Sequence, residues 1–123
     1  MAASDFNGDG LLDLVVPNEV SRTVSLLLGR GGGALGTAVS VPVGKNPRSL
    51  AARDFDGDGA MDVAVVNQGA GTLSVLSGDG AGGLEAAKEI PLPSVTAGGP
   101  SAVVLAELNG DGLLDCAVAM WLT

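Results

Sequence analysis

DFNGDGLLD, residues 5 to 13, gathers three aspartates, an asparagine and two glycines into nine positions. The motif returns as DFDGDGAMD at residues 54 to 62 and as ELNGDGLLD at residues 107 to 115, so it recurs after 49 and then 53 residues. Neighbouring features keep the same steps. Thr23-Val-Ser-Leu-Leu matches Thr72-Leu-Ser-Val-Leu, and Pro47-Arg-Ser-Leu-Ala matches Pro100-Ser-Ala-Val-Val. Self-similarity at a period of about 50 residues marks a repeat architecture. The four residues that lengthen the second step fall between Leu92 and Pro100.

One period reads as strand, acidic loop, strand, turn, strand, glycine-rich turn, strand. In the central unit the strands are expected near Arg48 to Arg53, Met61 to Val66, Thr72 to Leu76 and Ala86 to Ile90. MDVAVV, like LLDLVV at 11 to 16, is apolar on both faces, as a strand buried on both sides should be. Thr72 and Ser74 alternate with Leu73 and Val75, which predicts a half-buried strand nearer an edge. Four strands repeated at this length, with inner strands apolar on both faces, predict the blades of a β-propeller. The fold class is therefore all-β, a partial propeller of four-stranded antiparallel blades with the acidic loop between first and second strands. Residues 5–43 form an incomplete blade lacking its first strand, 47–92 a complete blade, and 100–122 the first two strands of a third.

The loops have the chemistry of a hard-cation cage. Loop one places side-chain oxygens at positions 1, 3, 5 and 9 (Asp5, Asn7, Asp9, Asp13) and offers the Leu11 carbonyl at position 7. Ca²⁺ takes about 6 to 8 oxygens, and Mg²⁺ is disfavoured by its stricter geometry. Loop two repeats the set with Asp54, Asp56, Asp58, Asp62 and the Ala60 carbonyl; loop three offers Glu107, Asn109, Asp111, Asp115 and the Leu113 carbonyl. Phe6, Phe55 and Leu108 at position 2 are read as anchors into the core. Without a cation, carboxylates this close repel one another. An EF-hand would need an acid at position 12, where the chain has Val16, Val65 and Val118.

Charge supports this assignment. The net charge is −8, yet ten of the fourteen acids lie inside the three loops, and the remaining four are outnumbered by six Lys and Arg. Up to three Ca²⁺ ions would bring the total to −2, so the acidity needs no basic partner, and nucleic acid is excluded by repulsion. No apolar run approaches the ~20 residues of a membrane helix, so no membrane insertion is expected. No signal region precedes the first loop, so any export signal is expected outside this chain. With no His and no Tyr a Ser-His dyad is impossible, Lys45 and Lys88 have no evident acid-base partner, and Glu19, Asp79, Glu85 and Glu89 read as solvated charges, so no enzyme activity is expected. Cys116 in CAVAM and Trp121 at a strand end are expected in the core.

DFNGDGLLDLVV, the following TVSLLLG, the glycine turn and VSVPVGKNPRSLAARDFDGDG resemble successive repeats of the FG-GAP/VCBS family, the integrin α-subunit-like calcium-binding β-propellers. The resemblance covers essentially the whole chain. Departures are Lys45-Asn46-Pro47 and Gly98-Gly99-Pro100 at the Gly-Ala-Pro element, and Glu107 in place of Asp. The resemblance implies a calcium-binding, extracellular or cell-surface scaffold for adhesion or for binding a protein or glycan ligand. The strand count leaves blade faces and edge strands unpaired, so the remaining propeller blades or self-association are expected as partners. The alternative is a lectin-like carbohydrate-binding propeller, or the accessory propeller of a secreted carbohydrate-active enzyme.

Overall fold

The computed structural model describes residues 1–93 and 98–121. Among them the strands are β1 (Ala2–Ser4), β2 (Asp13–Asn18), β3 (Thr23–Leu27), β4 (Val39–Pro42), β5 (Pro47–Arg53), β6 (Asp62–Asn67), β7 (Thr72–Leu76), β8 (Lys88–Pro91), β9 (Pro100–Ala106) and β10 (Asp115–Met120). They form a four-stranded sheet β1-β2-β3-β4, a second sheet β5-β6-β7-β8, and a two-stranded sheet of β9 and β10. All pairings are antiparallel. The all-β architecture, the strand order and the loop positions agree with the repeat reading. Of the lengthened second linker, residues 94–97 lie outside the described residues, as does residue 122 at the expected end of the third unit.

The three sheets stack, and the stacking follows from the two-residue alternation of β6. Val63 and Val65 point toward the first sheet, where they join Val15, Val24 and Leu26. Ala64 and Val66 point the other way and pack with Leu73 and Val103. All six residues of β6 are buried, as MDVAVV predicts. Each fully buried Val or Leu contributes roughly 1.5 to 3 kcal/mol, so these two layers hold the repeats together.

Three expectations need correction. The first unit does not lack its first strand: β1 pairs with β2 in the register Ala2↔Val15, Ala3↔Leu14, Ser4↔Asp13. Three small residues carry no periodicity long enough to read, yet their backbone groups still close the edge of β2. Nor is LLDLVV buried on both sides, because Leu14 and Val16 are only half-buried, whereas Val15 faces the second sheet. No described element covers the opposite face of the first sheet. The third strand of the central unit, in turn, is largely buried. Leu73, Ser74 and Leu76 are inaccessible, because the sheet is covered on both faces and the exposed edge is β8.

Candidate metal centres

Each acidic loop bridges the first and second strands of its sheet, and its first residue organises it. In loop one, Asp5 Oδ1 accepts the Gly8 N–H at 2.7 Å and the Asn7 N–H at 3.2 Å, while Oδ2 accepts the Gly10 N–H at 2.8 Å. This winding requires the left-handed backbone of Gly8 (φ 76°) and Gly10 (φ 82°). Asn7 Nδ2 donates to Asp9 Oδ2 at 3.0 Å, and Asp9 Oδ1 accepts the Leu11 N–H at 2.8 Å. Loop two repeats the pattern: Asp54 accepts from Gly57 (2.7 Å) and Gly59 (2.8 Å), and Asp58 accepts from Ala60 (2.8 Å). Carboxylate oxygens of Asp54, Asp56 and Asp58 lie within 4.8 Å of one another.

The electrostatics of loop two are divided. The Gly59 N–H, foremost, holds the Asp54 carboxyl below its ordinary value, as the Gly10 N–H does for Asp5. At Asp56 the Asp58 N–H also pulls downward, but desolvation and the charges of Asp58 and Asp62 outweigh it, and the net shift is upward. The ionised loop is therefore strained at its centre, a conflict that a divalent cation among these oxygens would remove.

The ninth position behaves differently. Asp62 is outside the Asp54, Asp56, Asp58 cluster and is buried at 1% exposure. Its Oδ2 accepts the Phe55 N–H at 2.8 Å and its Oδ1 the Gly78 N–H at 2.9 Å. Asp13 does the same with Phe6 (2.7 Å) and Gly29 (2.7 Å). These two aspartates tie the acidic loop to the start of the third-to-fourth strand connection. In loop three, Asp115 accepts the Leu108 N–H at 2.8 Å, and Glu107 Oε1 accepts from Asn109 and Gly110. Asn109 Oδ1 accepts the Asp111 N–H at 3.0 Å, and Asp111 Oδ1 the Leu113 N–H at 2.8 Å. No Gly112 N–H bond to Glu107 is present among the described residues, so the longer side chain closes this loop less completely.

Packing around the loops is graded along the stack. The anchor Phe6 is 3% exposed in the first inter-sheet core, Phe55 is half-buried against the second, and Leu108 is 62% exposed. Each anchor points toward the following sheet, and nothing described follows the third. Loop one is also braced by the glycine turn of the second sheet, whose Gly82 N–H donates to the Phe6 carbonyl at 3.2 Å. A methyl at Gly82 would stand 2.8 Å from Leu28 Cδ1 and 3.4 Å from Asn7 Cβ, on a backbone at φ 92°. Gly82→Ala is expected to cost about 1 to 2 kcal/mol and to shift the amide NMR signals of Asp5 to Asp13 while leaving those of Asp54 to Asp62 in place. Unchanged loop-one signals would reject the bracing.

Two structural pins lie outside the acidic motif. Asn18 Nδ2 donates to Thr23 Oγ1 (3.1 Å) and Ser25 Oγ (2.7 Å), and Asn67 Nδ2 does the same to Thr72 Oγ1 (3.1 Å) and Ser74 Oγ (2.7 Å). These pins close the hairpins opposite the loops, and their signal was the recurrence of Asn after 49 residues. The core expectation for Trp121 and Cys116 is corrected: Trp121 is 60% exposed, and Cys116 is exposed on β10. Cys116 lies on the two-stranded sheet and Trp121 directly follows it, and no third strand among the described residues covers them.

Fold and loops together define a class of repeat protein in which stacked antiparallel sheets each carry an aspartate-rich loop between their first two strands. The FG-GAP-like repeat matches residues 5–65 and again residues 54–118, and the chain belongs to that family. No curated protein and no solved structure matches the chain.

Proposed function

We propose that this chain is a non-catalytic, calcium-stabilised scaffold segment of an extracellular or cell-surface protein, one that presents its sheet ends for adhesion or ligand binding. The observation that carries the reading is the convergence of the Asp54, Asp56 and Asp58 oxygens within 4.8 Å on a loop that the sequence repeats three times. The donors fit a hard cation, because they are all oxygen, glycines wind the loop without side-chain obstruction, and the centre is electrostatically strained when empty of positive charge. Asp5, Asn7 and Asp9 would hold the ion in loop one, Asp54, Asp56 and Asp58 in loop two, and Glu107, Asn109 and Asp111 in loop three. The ninth-position aspartates and the carbonyls of Leu11, Ala60 and Leu113 complete the candidate set. A bound Ca²⁺ would supply neutralisation and cross-link strand to strand. Sites of extracellular modules have dissociation constants of about 10⁻⁴ to 10⁻³ M, and sites of that strength fill outside the cell.

The uncovered faces suit further repeat sheets, from the same protein or from a second copy. Leu14 and Val16 lie on the open face of the first sheet, and Val104 and Leu108 on that of the third. These faces repeat, after one period, the faces already packed in the two inter-sheet cores. One set of samples tests the whole reading. Calcium is expected to raise the melting temperature over EDTA, Asp58→Ala to weaken that rise, and light scattering in calcium to show association. An identical melt in calcium and EDTA would remove the metal, and a stable 12.0 kDa monomer would remove self-association.

A further inference from the structure

The charge of the chain is divided between the two ends of its sheets. Topology puts all three acidic loops at one end, together with Asp79, Glu85, Arg30 and Arg53. At the opposite end, where the Asn18 and Asn67 hairpins turn, lie Arg22, Lys45 and Arg48 with two acids, Glu19 and Glu89, the latter reaching the Gly44 turn beside Asn67. An anion meets far less repulsion at the turn end than at the loop end.

A cavity of about 290 Å³ opens at that end, between the second and third sheets, lined by Arg48, Gln68, Ser101 and Trp121. Its volume is near the lower bound for small-ligand sites. Arg48 Nε donates to Gln68 Oε1 at 2.9 Å, which fixes both side chains and leaves the Arg48 terminal amines and Gln68 Nε2 without a protein partner among the described residues. The Ser101 hydroxyl donates to the Ala119 carbonyl at 3.3 Å and keeps lone pairs for accepting. The Trp121 N–H donates to the Gly99 carbonyl at 2.8 Å, which pins the backbone below the exposed indole. A methyl at Gly99 would stand 2.9 Å from the Gln68 carbonyl, so the linker runs tightly beside Gln68.

The repeat does not demand this set of side chains. One period earlier the same positions hold Glu19, Arg48 and Gln68 in place of Gln68, Ser101 and Trp121. The junction between the first two sheets therefore packs with no aromatic there. Trp121, the sole tryptophan of the chain, stands 60% exposed beside the one arginine of the cavity.

The geometry points to a binding site for a hexuronate, a sugar ring bearing a carboxylate. The planar fork of Arg48 suits the carboxylate. The indole offers a stacking face for the apolar side of the ring, while Gln68 and Ser101 supply a donor and an acceptor for ring hydroxyls. Three hydrogen-bonding side chains out of four favour a polyhydroxylated ring over an aromatic acid. This inference is independent of the metal loops at the other end, and its test distinguishes the two.

With one Trp and no Tyr, intrinsic fluorescence reports on this cavity alone. The folded chain, at fixed calcium, is titrated with glucuronate, galacturonate, glucose, acetate and benzoate. Both uronates are expected to change the Trp121 emission saturably, with glucose and acetate at least about tenfold weaker. Arg48→Gln is expected to weaken the uronates by about tenfold or more without altering the melting response to calcium. Absence of a saturable change with either uronate would overturn the site. Acetate binding as well as the uronates would reduce it to a simple anion contact, and tighter benzoate would make it an aromatic-acid site; both reject the hexuronate. An Arg48→Gln variant that binds uronate like the parent would also reject it.

Discussion

Gly78→Ala is expected to destabilise the chain by about 3 kcal/mol or more, a shift of roughly 10 °C in melting temperature, with calcium present or absent. Gly78 opens the connection after β7, and its N–H donates to buried Asp62 Oδ1 at 2.9 Å. That approach brings its Cα against the Met61 carbonyl, and a methyl there would overlap this backbone oxygen. The obstacle is main chain entering a fully buried strand, so no side-chain rotation relieves it. Gly57→Ala provides the contrast: it has open space around it and only a positive φ of 77° to pay for, about 1 kcal/mol. Thermal melts of the two variants in EDTA check the difference. A Gly78→Ala melt as mild as that of Gly57→Ala would mean that the connection gives way without disturbing β6. Gly29 repeats the arrangement in the first sheet against the Leu12 carbonyl, so the same substitution there should act through the same clash.

Much of this architecture was legible because the repeat is written in residues with single physical uses. Gly8, Gly10, Gly57 and Gly59 announce left-handed turns, and all four adopt them. MDVAVV announces a strand covered on both faces, and it is. What escaped the reading depends on neighbours instead. Identical patterns, LLDLVV and MDVAVV, differ in burial because one lies at the end of the stack and the other in its middle. Trp121 looked like core because an apolar strand leads to it, but the covering strands that would bury it are not among those described. Three residues at Ala2–Ser4 form a strand through backbone pairing alone, which no side-chain pattern announces. Within loop two the first, third and fifth positions come together, as their alternation in the sequence suggests, whereas the ninth, given to the ion by spacing, is held by its own hydrogen bonds. Its partners, Gly29 and Gly78, lie 16 residues further along the chain. Only the folded sheet brings them together.

The ninth position therefore yields the sharpest test of how one motif divides between folding and metal. Asp62→Ala is expected to cost about 3 kcal/mol even in EDTA, because it leaves the Phe55 and Gly78 N–H groups unpaired where the carboxylate now sits at 1% exposure. Asp58→Ala removes an exposed side chain that, among the described residues, accepts only from the Ala60 N–H, so in EDTA it should lie within about 1 kcal/mol of the parent. In calcium the order of effects changes. Asp58→Ala loses the strained, oxygen-rich centre shared with Asp54 and Asp56 and should lose most of loop two's response. Asp62→Asn keeps one acceptor oxygen and restores part of the stability in EDTA. Its calcium response then reports whether the ninth carboxylate also reaches the ion. Paired melts of the three variants, each with and without calcium, separate the contributions. An Asp62→Ala protein that melts within 2 °C of the parent in EDTA would show that the buried bonds do not hold the loop, and would return the ninth aspartate to a role in the metal cage alone.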